Sequence, residues 1–390
     1  MINFDEIVDR SNTNSSKYSC EPDVLPMWVA DMDFRAPQPI LDALQSRLEN
    51  AILGYTRTPK EWASVQKEWW SRRHKAEFDE RDFIFCTGVI PALSTSVRRF
   101  TSPGDSVLVQ TPVYHVFFNC IKNNGRNVLA NELIYENGEY KIDFNDLESK
   151  LAQPLTTLFI FCNPHNPVGK IWSKDELAKI GELCKKHGVI VVSDEIHCDL
   201  TDPKKHYTPF ATASEICKNL SITCVAPTKT FNIAGIQTAS VIVPNENLHQ
   251  KMVAAINYDE VGEGNAFAAL ATITAYTKCD EWLEQLRAYI FENKRIVSEF
   301  LQNENLGITL VKSEATYLLW LDCSQICENS TNLQRFLLVN AKLWLNDGNI
   351  YRPNGSFLRM NIACPKATLL EGLKRLKAGI LAFNKTKNTI

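Results

Sequence analysis

The sequence predicts an α/β protein in which a large domain, built on a mostly parallel central sheet flanked by helices, is joined to a smaller α+β domain. From residue 83 onward, short apolar runs alternate with helical patterns. Several of these runs lack the polar alternation of a half-exposed strand, which indicates strands covered on both faces. After about residue 306 the rhythm changes to a mixture of strands and helices, which indicates the second domain.

The elements predicted for the central sheet are rich in Val, Ile and Phe, residues that favour strands. These strands are 83–86, 106–111, 127–133, 156–162, 189–193, 221–226 and 239–244. Helical patterns fall between most of them, notably at 89–101, 114–123 and 174–187. This alternation is typical of a parallel sheet with crossover helices.

The flanking segments complete the predicted domains. Helices are expected at about 39–48 and 59–74, and residues 245–305 are expected to be mainly helical. The C-terminal part is expected to contain strands 317–321 and 357–362 and helices 331–341 and 366–384. The large domain is predicted to span residues 50–285, and the small domain to combine 1–49 with 286–390.

Composition excludes several classes of protein. The formal net charge is −3 and no block of basic residues stands out, so nucleic acid and anionic membrane surfaces are not expected as partners. No uncharged apolar stretch reaches the length of a membrane span, and the acidic N-terminus does not resemble a signal peptide. The twelve cysteines are scattered, so free thiols in a reducing cytoplasm are expected.

Lys229 is the first candidate for chemistry. It follows a predicted strand within VAPTKTFNIAG (225–235), where its neighbours are small or apolar. Partial desolvation would lower the pKa of this amine and favour attack on a carbonyl group. The alternative is an ordinary solvated lysine on a loop.

Asp194 ends the apolar run of VVSDEIHCDL (191–200). A carboxylate in such a position is costly unless a cation pairs with it, so a cationic cofactor is one interpretation. A metal site is the rival, because Glu195, His197, Cys198 and Asp199 follow, although their spacing matches no established ligand motif. Helix capping or another structural role is the third.

Three more candidates lie at predicted strand ends, the edge at which open α/β sheets bind ligands. Asn163 begins the Pro-rich loop of FCNPHNPVGK (161–170), which is also a turn. Gly88 lies before a predicted helix, whose first N–H groups could bind phosphate. Tyr114 follows a strand and Pro112, and could cover a flat ring or simply pack in the core.

Arg359 lies in a predicted strand of the small domain, between Leu358 and Met360. An arginine in such apolar surroundings usually needs an anion. A substrate carboxylate bound in a bidentate manner is one candidate, and an internal Asp or Glu is the alternative.

Together these segments resemble the fold type I enzymes that depend on pyridoxal 5′-phosphate (PLP), within the class I/II aminotransferase family. The resemblance covers about residues 4–385 and is strongest to the cystathionine β-lyase (C–S lyase) branch of the MalY/PatB type. The motifs that indicate the branch are ADMDF (30–34), GYTR (54–57), CNPHNPVGKIW (162–172), SDEIHCDL (193–200), KTFNIAGIQ (229–237) and LRMNIACP (358–365). The set in this order is specific, although no single motif is.

The resemblance implies a role for each matching position. Lys229 would form the Schiff base with PLP and move protons, and Asp194 would pair with the protonated ring nitrogen. Asn163 would form a hydrogen bond to the ring hydroxyl, and Tyr114 would stack on the ring. Val89 and Ile90 would offer backbone N–H groups to the phosphate. Arg359 would bind the substrate carboxylate, with a further substrate contact near Ala30. Tyr55 would reach the phosphate of a neighbouring subunit, which implies a homodimer with shared active sites.

Several positions depart from the wider family. His197 replaces a common Tyr three residues after the Asp, as it does in the C–S lyase branch. Ala226 replaces a phosphate-binding Ser, with Thr228 as a possible substitute, and Gln237 replaces an Arg. The loop 347–356 is shorter than usual and lacks an expected Phe-Gly pair.

The implied activity is a cytoplasmic PLP-dependent α,β-elimination in methionine and cysteine metabolism. L-Cystathionine or a related cysteine S-conjugate would give a thiol such as homocysteine, pyruvate and ammonia. Three alternatives stay open: an aminotransferase with the same fold, a PLP-binding regulatory protein that acts through a partner, and a metal-dependent hydrolase that uses the Asp194 cluster.

Overall fold

The structure is a computed structural model, and it describes residues 2–353 and 355–387. The strands, in chain order, are β1 Leu25–Pro26, β2 Phe83–Cys86, β3 Ser106–Thr111, β4 Asn127–Glu132, β5 Ile134–Glu136, β6 Glu139–Lys141, β7 Thr156–Cys162, β8 Ile190–Asp194, β9 Ser221–Val225, β10 Ala239–Ile242, β11 Thr309–Leu310, β12 Leu318–Asp322, β13 Leu343–Trp344, β14 Asn346–Asp347 and β15 Phe357–Asn361. The α-helices are α1 Gln38–Glu49, α2 Glu61–His74, α3 Val89–Phe100, α4 Val116–Lys122, α5 Phe144–Leu151, α6 Lys174–His187, α7 Glu215–Leu220, α8 Pro227–Thr230, α9 Glu246–Tyr258, α10 Ala268–Lys278, α11 Asp280–Glu304, α12 Ser330–Asn340 and α13 Lys366–Lys387.

The large sheet has seven strands in the order β2-β10-β9-β8-β7-β3-β4. Four neighbouring pairs are parallel, and β10 runs antiparallel to both of its neighbours. The prediction of an α/β fold with a mostly parallel central sheet is therefore confirmed, with β10 as the exception. Because β2, β3, β7, β8 and β9 point the same way, their carboxyl ends meet at one edge.

Both faces of this sheet are buried, which explains the unbroken apolar runs in the sequence. On β7, Leu158 and Ile160 pack into a core with α3, α4 and α9. Their neighbours Phe159 and Phe161 point to the opposite face and pack with α5 and α6. Alternate side chains of one strand thus enter different cores, so a polar residue at either position would be buried.

The small sheet is antiparallel and has the order β11-β12-β15-β14. The N-terminal segment joins this part of the chain, because β1 pairs with β13 in parallel register. The grouping of residues 1–49 with the C-terminal part stays a prediction, because α1 in that range packs against α10 of the predicted large domain. The boundary predicted at 285/286 falls inside the continuous helix α11, and the division of the chain at this residue stays a prediction.

Across the described ranges, no helix combines the length and the apolar character needed to cross a bilayer.

Candidate active site

A cavity of about 330 Å³ opens at the carboxyl edge of the large sheet, where the sequence candidates were expected. Most of them line it, namely Ala30, Val89, Ile90, Tyr114, Asp194, His197, Thr228 and Lys229. The cavity is also lined by residues for which no role was predicted, including Thr87, Cys162, Asn166, Ala234 and Thr238. Parallel strand ends and the N-terminal segment around Ala30 thus converge on one place.

Lys229 lies in the short helix α8 after β9, and its amine points into this cavity. Its Nζ donates a hydrogen bond to the backbone oxygen of Ala30 at 2.5 Å. Burial lowers the pKa of Lys229 to about 8, with Arg359 acting in the same direction and Asp31 and Asp194 opposing it. A larger fraction of the amine is therefore neutral near pH 7 than in an ordinary lysine, as carbonyl attack requires.

Asp194 is the last residue of β8, and only 4% of its surface is exposed. Burial raises the pKa of this carboxyl to about 7, opposed by a hydrogen bond from the Ile196 N–H at 3.1 Å and by the charge of Lys229. No lysine or arginine within the described ranges forms an ion pair with it. A cationic group bound in the cavity would supply that missing partner.

Arg359 lies on β15, 3% exposed, beside the cavity. Its Nη1 donates to Asn166 Oδ1 at 3.1 Å and its Nη2 to the backbone oxygen of Trp28 at 2.9 Å. Its Nε is buried without a hydrogen-bond partner. No carboxylate within the described part of the chain pairs with this guanidinium, so the internal Asp or Glu considered above is not found. An incoming carboxylate suits this site.

Asn163 does not lie where the resemblance implied. It is fully buried, its Nδ2 donates to the Thr208 backbone oxygen at 3.0 Å, and it does not line the cavity. Asn166, three residues further along the same loop, lines the cavity and contacts Arg359. The geometry therefore favours Asn166 for the contact assigned to Asn163. The sequence carried a signal for it, because both asparagines precede a proline in NPHNP.

Tyr114 and His197 line the cavity together. The Tyr114 N–H donates to the Asn166 backbone oxygen at 3.1 Å, which ties the loop after β3 to the loop after β7. His197 is buried with its Nδ1 unpaired, and burial together with the charges of Lys229, Arg359 and Lys294 lowers its pKa to about 3. The imidazole is therefore neutral.

Helix α3 begins at Val89 directly at the cavity, after Gly88. The first N–H groups of a helix have no partner inside the helix, so this end can accept a phosphate. Thr228 and Gln237 line the same cavity, whereas the buried Ala226 offers no hydroxyl. Lys229 is the only lysine or arginine that the described residues contribute to the lining.

The residues of the suspected metal cluster point in different directions. Glu195 accepts hydrogen bonds from Ser193, Tyr207 and the Phe210 N–H, away from the cavity. Asp199 forms its own buried network, with His74 Nε2 at 2.9 Å, Arg73 Nε at 3.0 Å and Thr230 Oγ1 at 3.1 Å.

His74, Cys198 and Asp199 do lie close enough to share an ion. However, the guanidinium of Arg73 already neutralises Asp199, and burial raises the pKa of the Cys198 thiol well above its usual value. Since a metal ion prefers the thiolate, this cluster is better explained as structural.

Comparison with known proteins identifies the class. The sequence profile of the class I and II aminotransferases matches residues 23–376. The chain therefore belongs to that family.

Within the family it falls in the MalY/PatB branch, as the motifs predicted. It is 44% identical to the cystathionine β-lyase PatB of Bacillus subtilis over 97% of this chain and 100% of that protein. A PLP-bound putative aminotransferase from Clostridium difficile 630 superposes with a TM-score of 0.94 and 40% identity, covering 97% of this chain and all of that one. Cystalysin from Treponema denticola, whose structure contains PLP, gives 0.94 and 32% identity over 98% and 99%.

The residues present fit PLP, the cofactor of this family. An amine with a lowered pKa, a buried carboxylate without a cation and a helix N-terminus border one cavity. These three features match the aldehyde, the ring nitrogen and the phosphate of the cofactor. The fit rests on these side chains as well as on the comparisons.

Proposed function

We propose that this chain is a PLP-dependent C–S β-lyase that cleaves the Cβ–S bond of L-cystathionine or related cysteine S-conjugates. The products would be a thiol such as homocysteine, pyruvate and ammonia. One observation carries the proposal: within the described residues, an amine of lowered pKa and a buried carboxylate without an ion-pair partner line one cavity, and a buried guanidinium without a carboxylate partner contacts Asn166 in the cavity wall.

Each of these groups has a task in the proposed reaction. When bound, PLP supplies an electron sink for the electron pair left at Cα. Asp194, as a carboxylate, keeps the ring nitrogen protonated. Lys229, once released by the substrate amine, takes the Cα proton at Nζ as general base. A thiolate on Cβ then leaves, and a water molecule completes the release of pyruvate and ammonia.

Substrate orientation is assigned to Arg359, Asn166 and Tyr114. Arg359 binds the α-carboxylate, and its contact with Asn166 joins that anchor to the cavity wall. Tyr114 would stack on the cofactor ring, and His197, which also lines the cavity, would contact the cofactor or the substrate. The backbone N–H groups at Val89 and Ile90 would bind the phosphate.

We further propose that the active unit is a homodimer with shared sites in a reducing cytoplasm. Tyr55 is fully exposed, and Ile52 and Leu53 beside it are also exposed apolar residues. This segment would pack against a second copy, where Tyr55 would contact the cofactor phosphate. Such a contact suits a cavity in which Lys229 is the only cationic side chain among the described lining residues. Twelve unpaired cysteines support the reducing compartment.

The test compares products rather than substrate loss alone. The purified protein is given L-cystathionine, and pyruvate, ammonia and thiol are measured; separately it is given an amino acid with a keto acid acceptor. Equal amounts of pyruvate and thiol are expected. Stoichiometric amino transfer without thiol release would instead establish an aminotransferase.

The cofactor is tested with Lys229→Ala. The wild-type protein should absorb near 420 nm, roughly where protonated PLP imines absorb, and the variant should lose or shift that band. A wild-type protein that stays colourless after soaking in PLP would refute the proposal. A coloured protein with no turnover that captures a transcription factor would favour the regulatory alternative.

A further inference from the structure

Tyr351 lies in the segment 347–356, which lacks the Phe-Gly pair that the resemblance led us to expect. It follows the 3₁₀ turn Gly348–Ile350, and its side chain is fully buried. The guanidinium carbon of Arg359 lies 4.9 Å from the centre of its ring. The unusual loop thus places an aromatic face against the arginine that we assign to the substrate carboxylate.

Asn346 connects this tyrosine to the other partner of Arg359. It lies on β14 directly opposite Arg359 on β15. Its Nδ2 donates to the Tyr351 hydroxyl oxygen at 3.1 Å and to the Trp28 backbone oxygen at 2.9 Å. The same Trp28 oxygen accepts from Arg359 Nη2. Arg359, Trp28, Asn346 and Tyr351 therefore form a closed ring of contacts.

Every partner of Arg359 in this arrangement is neutral. An amide oxygen, a backbone oxygen and an aromatic face orient the guanidinium without cancelling its charge. A carboxylate at any of these places would compete with an incoming anion. These contacts would restrict the motion of the Arg359 side chain while leaving its positive charge available to bind an anion.

We propose that Tyr351 and Asn346 are positioning residues that hold Arg359 for the substrate α-carboxylate. The proposal rests on the assignment of Arg359 in the proposed function. It also gives this segment a role in the site, because the segment places the Tyr351 ring against the guanidinium.

The test uses two ligands that differ only in the carboxylate. L-Alanine carries the amine and the α-carboxylate without a leaving group on Cβ, and ethylamine is the same molecule without the carboxylate. Each is titrated into the holoenzyme, and binding is followed by the absorbance change near 420 nm, roughly the wavelength of the cofactor band. The amplitude of the first rapid phase reports binding, before any slower transfer of the amino group to the cofactor.

Tyr351→Leu removes the ring and Tyr351→Phe removes only the hydroxyl. Tyr351→Leu is expected to lower the affinity for L-alanine by about 3- to 30-fold, the range of one cation–π contact, and to leave the affinity for ethylamine unchanged. Tyr351→Phe is expected to bind L-alanine within about 3-fold of the wild-type affinity, because the aromatic face remains. In turnover of L-cystathionine, Tyr351→Leu should raise KM more than it lowers kcat.

Asn346→Ala provides a second variant in case Tyr351→Leu does not fold. It removes the two hydrogen bonds that Asn346 donates within the ring of contacts and should also weaken L-alanine binding selectively. Equal losses for both ligands, or no loss for either, would overturn the positioning role. If Arg359→Leu itself leaves L-alanine binding unchanged, the proposed function is wrong about the carboxylate anchor, and the two failures are thereby distinguished.

Discussion

At the scale of residues, burial brings the pKa values of the two central ionisable groups, Lys229 and Asp194, closer together. It lowers the pKa of Lys229 to about 8 and raises the pKa of Asp194 to about 7. Both shifts arise because a cavity closed to water disfavours a charged form. Bound PLP would reverse the cost for Asp194, since the protonated ring nitrogen is the cation that this carboxylate lacks.

Cofactor uptake by the apoprotein should depend on pH through Lys229. Only the neutral amine attacks an aldehyde, so the rate should rise about tenfold per pH unit below the pKa and level off above about pH 8. Stopped-flow absorbance after mixing apoprotein with PLP measures the rate. Lys229→Arg, which keeps the charge, should show no uptake at any pH, and a wild-type rate that falls between pH 6 and 8 would contradict the assignment.

Asp199 should matter for stability and not for chemistry. Asp199→Asn leaves Arg73 with only the half-exposed Glu284 as an anionic partner, so we expect a loss of about 3 kcal/mol in the free energy of unfolding. Urea denaturation measures it. The matched control is Asp280→Asn, which breaks an exposed pair with Arg72 and should cost about 1 kcal/mol or less. If the Asp199→Asn variant instead lost activity and added Zn²⁺ restored it, that result would support a metal site.

At the scale of elements, the loop after β7 connects the two sheets. The Gly169 backbone oxygen accepts hydrogen bonds from the N–H groups of Glu314 and Ala315, just before β12. The same loop carries Asn166, which contacts Arg359 on β15. The position of Arg359 relative to the cavity therefore depends on the contact between this loop and the segment before β12.

Gly169→Ala tests that docking. Its φ is +74°, and an added Cβ would lie 2.1 Å from Ser313 Oγ and 2.7 Å from the Ala315 backbone oxygen. Gly125 has the same φ with open space around it, so Gly125→Ala isolates the backbone cost. We expect a loss of about 1–2 kcal/mol for Gly125→Ala, and about 1–3 kcal/mol more for Gly169→Ala because of the overlap.

Urea denaturation measures both variants, and KM for L-cystathionine provides the functional comparison. Gly169→Ala should raise KM because Asn166 and Arg359 shift relative to each other, whereas Gly125→Ala should not. Equal stability losses in the two variants would show that the Gly169 contact does not matter.

At the scale of the whole molecule, the site combines distant parts of the chain. Ala30, whose oxygen accepts from Lys229 and from the Tyr317 hydroxyl, belongs to an N-terminal segment held by buried ion pairs of Lys17 and Arg10 with Asp33. Arg359 comes from near the other end. In the proposed homodimer, Tyr55 of a second copy would also contribute to the site.

Mixing two inactive variants tests the shared site. Tyr55→Ala should bind PLP weakly, and Lys229→Ala should be inactive. In a mixed dimer, one site has intact Lys229 from one copy and intact Tyr55 from the other. Refolding the two variants together should therefore recover about a quarter of the wild-type activity, as random pairing requires. No recovery, with mixed dimers demonstrated by mass spectrometry, would exclude sharing in this form.

The sequence by itself determined the large sheet and offered Lys229 and Asp194 as candidates. Its apolar runs predicted each of the seven strands to within two residues, and all but the edge strand β4 are largely buried, where polar residues are rare. Lys229 and Asp194 were candidates because each follows or ends such a run, and strand ends meet at one edge. The hairpin of β5 and β6 was missed, although Asn137-Gly138 between them is a hairpin signal.

Only the tertiary structure decided which of two similar residues faces the cavity and which charges are compensated. Asn163 and Asn166 share a loop and a following proline, and the fold alone turns one toward Thr208 and the other toward Arg359. It likewise paired Asp199 with Arg73 and, among the residues that the structure describes, gave Asp194 and Arg359 no ion-pair partner. Local patterns reveal residue types and periodicity, whereas pairing depends on groups brought together from distant positions in the chain.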